Sequence, residues 1–219
     1  MEKLQAIREF PVTRISVNPQ TMNQETLDII GRRHTVEQTK NAFHLARKAG
    51  FDNINMDLIV GLPGEDITKV QHTLDEVKAL GPDSLTVHSL AVKRAARLNI
   101  FRDKYQEMTF ENNQEIMDLT MKTAYEMGMG PYYLYRQKNM KGNFENVGYA
   151  KVDKAGIYNI LIMEEKQPII ALGAGGSSKL VFDHGQRIER VENVKDVSNY
   201  ISRIDEMIER KRTAIATWL

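Results

Sequence analysis

The chain has 219 residues, of which 42% are hydrophobic and 27% are charged, and its formal net charge is +1. This balance is typical of a globular protein, and it gives no electrostatic reason to expect nucleic acid or an acidic membrane as a partner. No apolar run approaches the roughly 20 residues of a membrane helix, so we expect a cytoplasmic protein.

Two residue types limit the chemistry that the chain can support. The sequence contains no cysteine, which excludes disulfides, thiol nucleophiles and an iron–sulfur cluster ligated by the chain's own thiolates. Its five histidines show neither His-x-His nor His-Glu-x-x-His spacing, so we predict no metal site.

Three segments alternate polar and apolar side chains and are predicted to be strands, at residues 12–17, 53–60 and 84–90. Helical segments with apolar stripes separate them, which is typical of a βα repeat with a parallel sheet. Such a sheet normally buries both faces, so its polar face here predicts part of a βα barrel whose interior holds a polar ligand. The alternative is an antiparallel sheet with one solvated side, which the long helical segments disfavour.

Polar residues near the ends of these strands are candidates for ligand binding. Asp57 precedes a glycine-rich turn, Gly61–Gly64, at the end of a strand where α/β folds place their sites. A carboxylate there can accept both hydroxyls of a ribose, although one neutralised by a neighbouring cation fits the spacing equally well. Gln20 and Arg32 bracket one helix and can reach the same strand end; for Arg32, the alternative is a cation at a helix C-terminus.

The pattern changes after about residue 130. Residues 137–156 are polar and contain glycine, which predicts a long loop. Two hairpins are predicted beyond it, one from residues 157–163 and 168–172 and one around residues 183–186. A terminal amphipathic helix follows, and its predicted inner face carries Val197, Tyr200, Ile201, Ile204 and Ile208. We therefore predict a partial barrel over residues 1–130 and a mixed α/β region over residues 131–219.

Several segments occur in a recognisable order: Arg14–Gln20, Gly31–Arg32, Asn55–Gly64, Tyr132–Tyr135 and Leu172–Ser178. Together they resemble the oxygen-independent coproporphyrinogen III oxidase family of radical S-adenosylmethionine (SAM) enzymes, and the resemblance covers nearly the whole chain. It implies that Gln20, Arg32 and Asp57 contact SAM and that Ala91 lies beside the adenosine. It assigns no catalytic residue to this chain.

The family's Cys-x3-Cys-x2-Cys loop and its glycine-rich segment for the methionine amine are absent from the sequence. The resemblance therefore implies the C-terminal half of a radical SAM TIM-like barrel followed by the family's C-terminal region. The full-length parent would hold SAM and a [4Fe-4S] cluster, whereas this fragment would hold no cluster and be inactive. The parent would be an oxidoreductase of porphyrin and haem biosynthesis that converts two propionates of the porphyrinogen substrate to vinyl groups with loss of carbon dioxide.

Two other functions stay open at this point. Relatives in the same superfamily bind haem without the oxidase reaction, which suggests a haem-binding chaperone. A complete small-ligand-binding α/β protein that begins at Met1 is a further alternative. We also expect the fragment to self-associate, because residues 12–17 would lack a neighbouring strand on one side.

Overall fold

The computed structural model describes residues 1–90, 111–136 and 144–218. Residue contacts divide the chain into two compact units, Met1–Gly156 and Ile157–Leu219. The first unit contains, in chain order, α1 (Glu2–Arg8), β1 (Ile15–Ser16), α2 (Gln24–Ile29), α3 (Val36–Lys48), β2 (Ile54–Val60), α4 (Ile67–Leu80), β3 (Ser84–Ser89), α5 (Gln114–Glu126), β4 (Gly130–Tyr135) and β5 (Asn146–Ala150).

The first unit is built on a five-stranded mixed sheet with the order β1-β2-β3-β5-β4. β1, β2 and β3 are parallel, whereas β5 pairs antiparallel with both β3 and β4. The predicted βαβαβ arrangement with a parallel sheet is therefore confirmed. β1 is shorter than the predicted strand at residues 12–17, because only Ile15 and Ser16 pair in regular register with β2.

In two helices of this unit, α3 and α4, short-range sequence signals coincide with helix ends. Thr35 and Gln38 form a reciprocal capping box at the start of α3. Asp66 accepts a hydrogen bond from the Lys69 amide at the start of α4. Gly81 ends α4 in the left-handed conformation with φ of 69°, which costs little without a Cβ.

The two faces of the sheet differ in chemistry, as the alternation predicted. The apolar residues of β2 (Ile54, Met56, Leu58 and Val60) are each at most 2% exposed. They pack in one core with residues of α3, α4 and α5, including Phe43, Leu74 and Ile116. The opposite face carries the polar residues of the same strands, so burial of the apolar set fixes which side chains are left for a ligand.

The predicted loop at residues 137–156 is wrong in part, because its described portion contains β5. β5 lies between β3 and β4, where it pairs with the second edge of β3 and with one edge of β4. Its pairing also places β4 and β5 in the first compact unit. The predicted division at residue 130 between a barrel segment and a C-terminal region stays a prediction.

The second unit contains α6 (Ile157–Glu164), β6 (Ser177–Phe182), β7 (Arg187–Glu192), α7 (Val197–Ser202) and α8 (Ile204–Trp218). The hairpin predicted around residues 183–186 is confirmed, since β6 and β7 pair antiparallel on either side of it. The hairpin predicted from residues 157–163 is wrong, because this segment is α6. A short apolar run does not distinguish a strand from a helix by its periodicity.

The terminal helix and its inner face also differ from the prediction. The chain forms two helices, α7 and α8, separated at Arg203. None of the predicted inner-face residues is buried, and Val197 and Ile201 are more than 60% exposed. Met207, at 1% exposed, is the buried residue of α8. The break at Arg203 ends the helical periodicity on which the prediction depended.

Candidate functional site

One row of residues crosses the polar face of the sheet from β2 to β4. Asp57 is opposite Thr86 in β3, Thr86 is opposite Gly148 in β5, and Gly148 is opposite Tyr133 in β4. In a neighbouring row, Asn55 lies beside Asp57 on the same face. Four strands therefore contribute to one polar row on this face of the sheet, and the predicted carboxylate lies at its β2 end.

Gln20 joins this surface through the backbone of β2. Its amide donates to the Asp57 carbonyl at 3.0 Å, and its carbonyl accepts from the Ile59 amide at 2.8 Å. Its φ is 68°, the left-handed region that non-glycine residues seldom adopt. Such strain persists only where surrounding interactions enforce it, and it is concentrated at functional sites.

Arg32 reaches the same place from the end of α2. Its guanidinium Nη2 donates to Gln20 Oε1 at 3.3 Å, while its backbone amide donates to the Leu27 carbonyl at 2.8 Å. The backbone therefore caps the helix, and the side chain extends to Gln20 instead of to the helix carbonyls. The structure thus brings together Gln20 and Arg32, and it connects Gln20 to Asp57 by a backbone hydrogen bond.

Asp57 is held as an ionised acceptor. Its Oδ1 accepts from Asn55 Nδ2 at 2.6 Å, and its Oδ2 lies 3.9 Å from His88 Nε2, beyond hydrogen-bonding distance. Burial acts to raise the pKa of Asp57, but interactions with His88 and Asn55 outweigh it, and the pKa lies below its ordinary value. Oδ2 is thus an anionic oxygen with acceptor capacity on a half-buried surface.

The lowered pKa of Asp57 predicts a specific acid sensitivity. Because the folded protein binds this proton more weakly than the unfolded chain, ionised Asp57 adds to the free energy of unfolding. This stabilisation is complete above the unfolded pKa of about 3.9, and it is lost as the pH falls from there through the lower native pKa. We expect Asp57→Asn to lose less stability than the wild type between pH 7 and pH 3, measured by urea denaturation. Equal losses in both proteins would contradict this assignment.

Tyr133 completes the row and was not predicted from the sequence. Its ring lies against Gly148, where a Cβ would be 1.9 Å from Tyr133 Cε1. Burial raises the pKa of Tyr133 to about 12, against the effect of a hydrogen bond with Thr86, so its hydroxyl stays protonated at neutral pH. The Tyr135 ring stacks beside it, with 6.2 Å between centroids and an interplanar angle of 8°. Gly148 is a glycine inside a strand, which marks close approach of another group, but the sequence predicted a loop at this position.

The remaining predicted site residue, Ala91, lies outside the described residues. So do Lys93, Arg94 and Arg97, the basic residues that follow β3 in the sequence.

Comparison with known proteins supports the resemblance independently. The model of the Radical SAM superfamily matches residues 1–77, which include Gln20, Arg32 and Asp57. Over 96% of its length the chain is 45% identical to the oxygen-independent coproporphyrinogen-III oxidase-like protein HemZ of Bacillus subtilis. The resemblance to the radical SAM coproporphyrinogen oxidase-like proteins is confirmed.

Other relatives in this group differ in their described function. The heme chaperone HemW of Bacillus subtilis is 27% identical over 94% of the chain. The fold matches the radical SAM enzyme coproporphyrinogen III oxidase (HemN) of Escherichia coli with a TM-score of 0.67 at 20% identity, covering 94% of this chain and 46% of that one. The partial TIM-like radical SAM fold is thereby confirmed.

The chain spans about half the length of the curated relatives that it matches, namely 42% of HemZ and 50% of HemW. Among the residues that the structure describes, no helix has both the length and the apolar character needed to cross a membrane.

Proposed function

We propose that this chain supplies the adenosine-binding part of a radical SAM protein that acts on a porphyrin-type substrate. The observation that carries the proposal is the pair of hydrogen bonds that joins Arg32 to the Gln20 side chain and the Gln20 backbone to that of Asp57. These residues come from three separate segments within the part matched by the superfamily. Ala91 is included in the proposed site on the resemblance alone.

The donors and acceptors of this site suit a ribose. The two ribose hydroxyls can donate hydrogen bonds to a carboxylate, and Asp57 Oδ2 retains acceptor capacity at a partly exposed position. The Gln20 side-chain amide and the Arg32 guanidinium, which bond to each other, are further donors, and the Gln20 backbone is joined to that of Asp57. The residues therefore fit the adenosine portion of SAM. When bound beside a cluster, SAM would supply the oxidising power for hydrogen abstraction, and these side chains would bind and orient it.

The reaction of the whole protein is proposed from its relatives. HemZ is described as coproporphyrinogen-III oxidase-like and HemN as a coproporphyrinogen III oxidase, which supports oxidative decarboxylation of porphyrinogen propionates to vinyl groups. A second candidate is haem delivery, because several relatives are heme chaperones. Incubating the full-length protein, reconstituted anaerobically, with coproporphyrinogen III or with haem would distinguish them by product formation or by haem binding.

The absence of cysteine limits which part of that reaction this chain can support. Without cysteine it supplies no thiolate ligand, so we propose that the isolated chain is inactive and assembles no [4Fe-4S] cluster. Iron and sulfide analysis after anaerobic reconstitution tests this, and a stoichiometric cluster would contradict it.

Binding of SAM to this chain is the direct test of the proposed site. We expect calorimetry to detect saturable binding of SAM and of S-adenosylhomocysteine, because both carry the adenosine that Asp57, Gln20 and Arg32 would hold. Adenine should bind more weakly, since it lacks the ribose. Equal binding of adenine and SAM, or no binding of either, would refute a ribose site.

Self-association and a cytoplasmic location stay parts of the proposal. Among the described strands, β1 pairs with β2 alone, so its other edge offers unpaired backbone groups to a second copy. Light scattering over a concentration series would check for dimers, and a strictly monomeric chain would contradict the expectation.

A further inference from the structure

A buried polar cluster lies directly behind Gln20, in the space between residues 21–23, the turn after β2 and helix α4. Its centre is the carboxylate of Glu65, whose Oε1 accepts from Thr21 Oγ1 at 2.5 Å and from Asn23 Nδ2 at 3.0 Å. Thr73 of α4 contacts the same two residues, with Thr21 Oγ1 and Asn23 Nδ2 each 3.1 Å from its Oγ1.

Glu65 is an unusual residue to find in this position. It is only 2% exposed, and among the described residues no cation forms an ion pair with it. Burial of a carboxylate is costly unless hydrogen bonds replace its hydration. Here the replacement comes from the side chains of Thr21 and Asn23. Their positions are therefore coupled to that of Glu65, because loss of the carboxylate would remove the acceptor that both donors share.

The cluster reaches the site through one peptide unit. Thr21 follows Gln20 in the chain. Gln20 is in the left-handed conformation, which is strained for a residue with a Cβ and persists only if neighbouring contacts hold it. Both backbone groups of Gln20 are bonded to β2: its amide donates to the Asp57 carbonyl, and its carbonyl accepts from the Ile59 amide. On its C-terminal side the first anchor is the Thr21 hydroxyl bond to Glu65.

We infer that Glu65 is a positioning residue for the adenosine site: it fixes Thr21, and thereby the strained Gln20 and its contact with Arg32. The inference rests on the proposed function where it concerns SAM affinity. Its structural part, that Glu65 restrains the backbone at Gln20, can be measured without any ligand.

The test compares Glu65→Ala with Asp83→Ala in the full chain. Asp83 is the control, because it is also a buried carboxylate, at 7% exposed, and its Oδ2 accepts from the Ile54 amide at 2.8 Å; unlike Glu65, it is also paired with Arg47, at 2.6 Å. It lies at the opposite end of β2 from Gln20. Two quantities are measured in each variant: the affinity for SAM, and the exchange rate of the Gln20 and Ile59 amides relative to the amides of β3.

We expect Glu65→Ala to raise the relative exchange rate at Gln20 and Ile59 and to weaken SAM binding by about tenfold, the effect of one lost buried hydrogen bond. Asp83→Ala should lower global stability but change neither the relative exchange rate at Gln20 and Ile59 nor the affinity for SAM. Glu65→Gln should stay close to the wild type, because its carbonyl oxygen can accept from the same two donors. If Glu65→Ala does not fold, Thr21→Val removes only the hydroxyl and gives the same comparison.

The outcomes separate this inference from the proposed function. An unchanged exchange ratio in Glu65→Ala, or an equal change in Asp83→Ala, would overturn the positioning role. Weaker SAM binding without faster exchange would also overturn it, since Glu65 would then act on the ligand directly. If the wild-type chain binds no SAM, the proposed function fails, and the exchange ratio alone decides the inference.

Discussion

Asp57→Ala is expected to weaken SAM binding by about ten- to a hundredfold, because a hydrogen bond to a charged group is worth roughly 1.5–3 kcal/mol. The variant removes the half-buried anionic oxygen that we propose as the ribose acceptor. It also deprives Asn55 Nδ2 of its acceptor at 2.6 Å, so some loss of folding stability accompanies the change. Calorimetry with SAM and urea denaturation measure the two effects separately, and we expect the loss of binding to be the larger.

A matched pair of ligands isolates the ribose contact. The wild type should bind adenosine more tightly than 2′-deoxyadenosine, and Asp57→Ala should bind the two equally well. Discrimination that survives the substitution would assign the ribose to other residues. A loss of stability with unchanged SAM affinity would give Asp57 a structural role only.

Gly148→Ala is expected to destabilise the first unit by about 1–3 kcal/mol, the usual cost of inserting a methyl group into a well-packed position. The new Cβ would lie 1.9 Å from Tyr133 Cε1 and within 3 Å of two further atoms of the same ring, so the ring must move. Displacing the ring also disturbs its hydrogen bond with Thr86. Urea denaturation followed by circular dichroism measures the change.

Gly130 provides the control, since it pairs in the same sheet but a Cβ there would meet nothing within 4 Å. Gly130→Ala should therefore change the free energy of unfolding only slightly. In a Tyr133→Ala background, Gly148→Ala should cost much less, because the clashing ring is absent. A full cost in that background would show that the backbone at Gly148, and not Tyr133, requires glycine.

Short-range patterns predicted the elements that form the parallel part of the sheet. The alternation of residues 53–60 predicted both β2 and its two faces, because successive side chains of a strand point to opposite sides of the sheet. The capping box at Thr35 and the glycine at residue 81 mark the start of α3 and the end of α4, because each satisfies backbone groups within one helical turn. Each of these signals depends on residues fewer than about ten positions apart in the sequence.

Features that depend on distant residues were missed. β5 is a strand because β3 and β4 lie on either side of it, and its own residues include a glycine and a buried asparagine that favour loops. Tyr133 joins the polar row only through this pairing. The helix α6 was mistaken for a strand, since its apolar residues occur around its whole surface and none of them is buried.

The assignment of Asp57, Gln20 and Arg32 to a SAM site stays a prediction. Nothing in their spacing indicated that Gln20 adopts the left-handed conformation or that Glu65 bonds to the next residue, Thr21. Both facts follow from contacts between segments about 40 residues apart, as in the bond between Thr21 and Glu65. Only the folded chain brings these groups within hydrogen-bonding distance.

The left-handed glutamine has a consequence for how this position can evolve. Its conformation costs roughly 1–2 kcal/mol for a residue with a Cβ, and glycine would relieve that cost at once. Glycine would also remove the amide that contacts Arg32. A population selected for thermal robustness alone would therefore tend to drift toward glycine at residue 20. Retention of glutamine across a lineage would record continued selection for what its side chain touches, at the expense of a more robust fold.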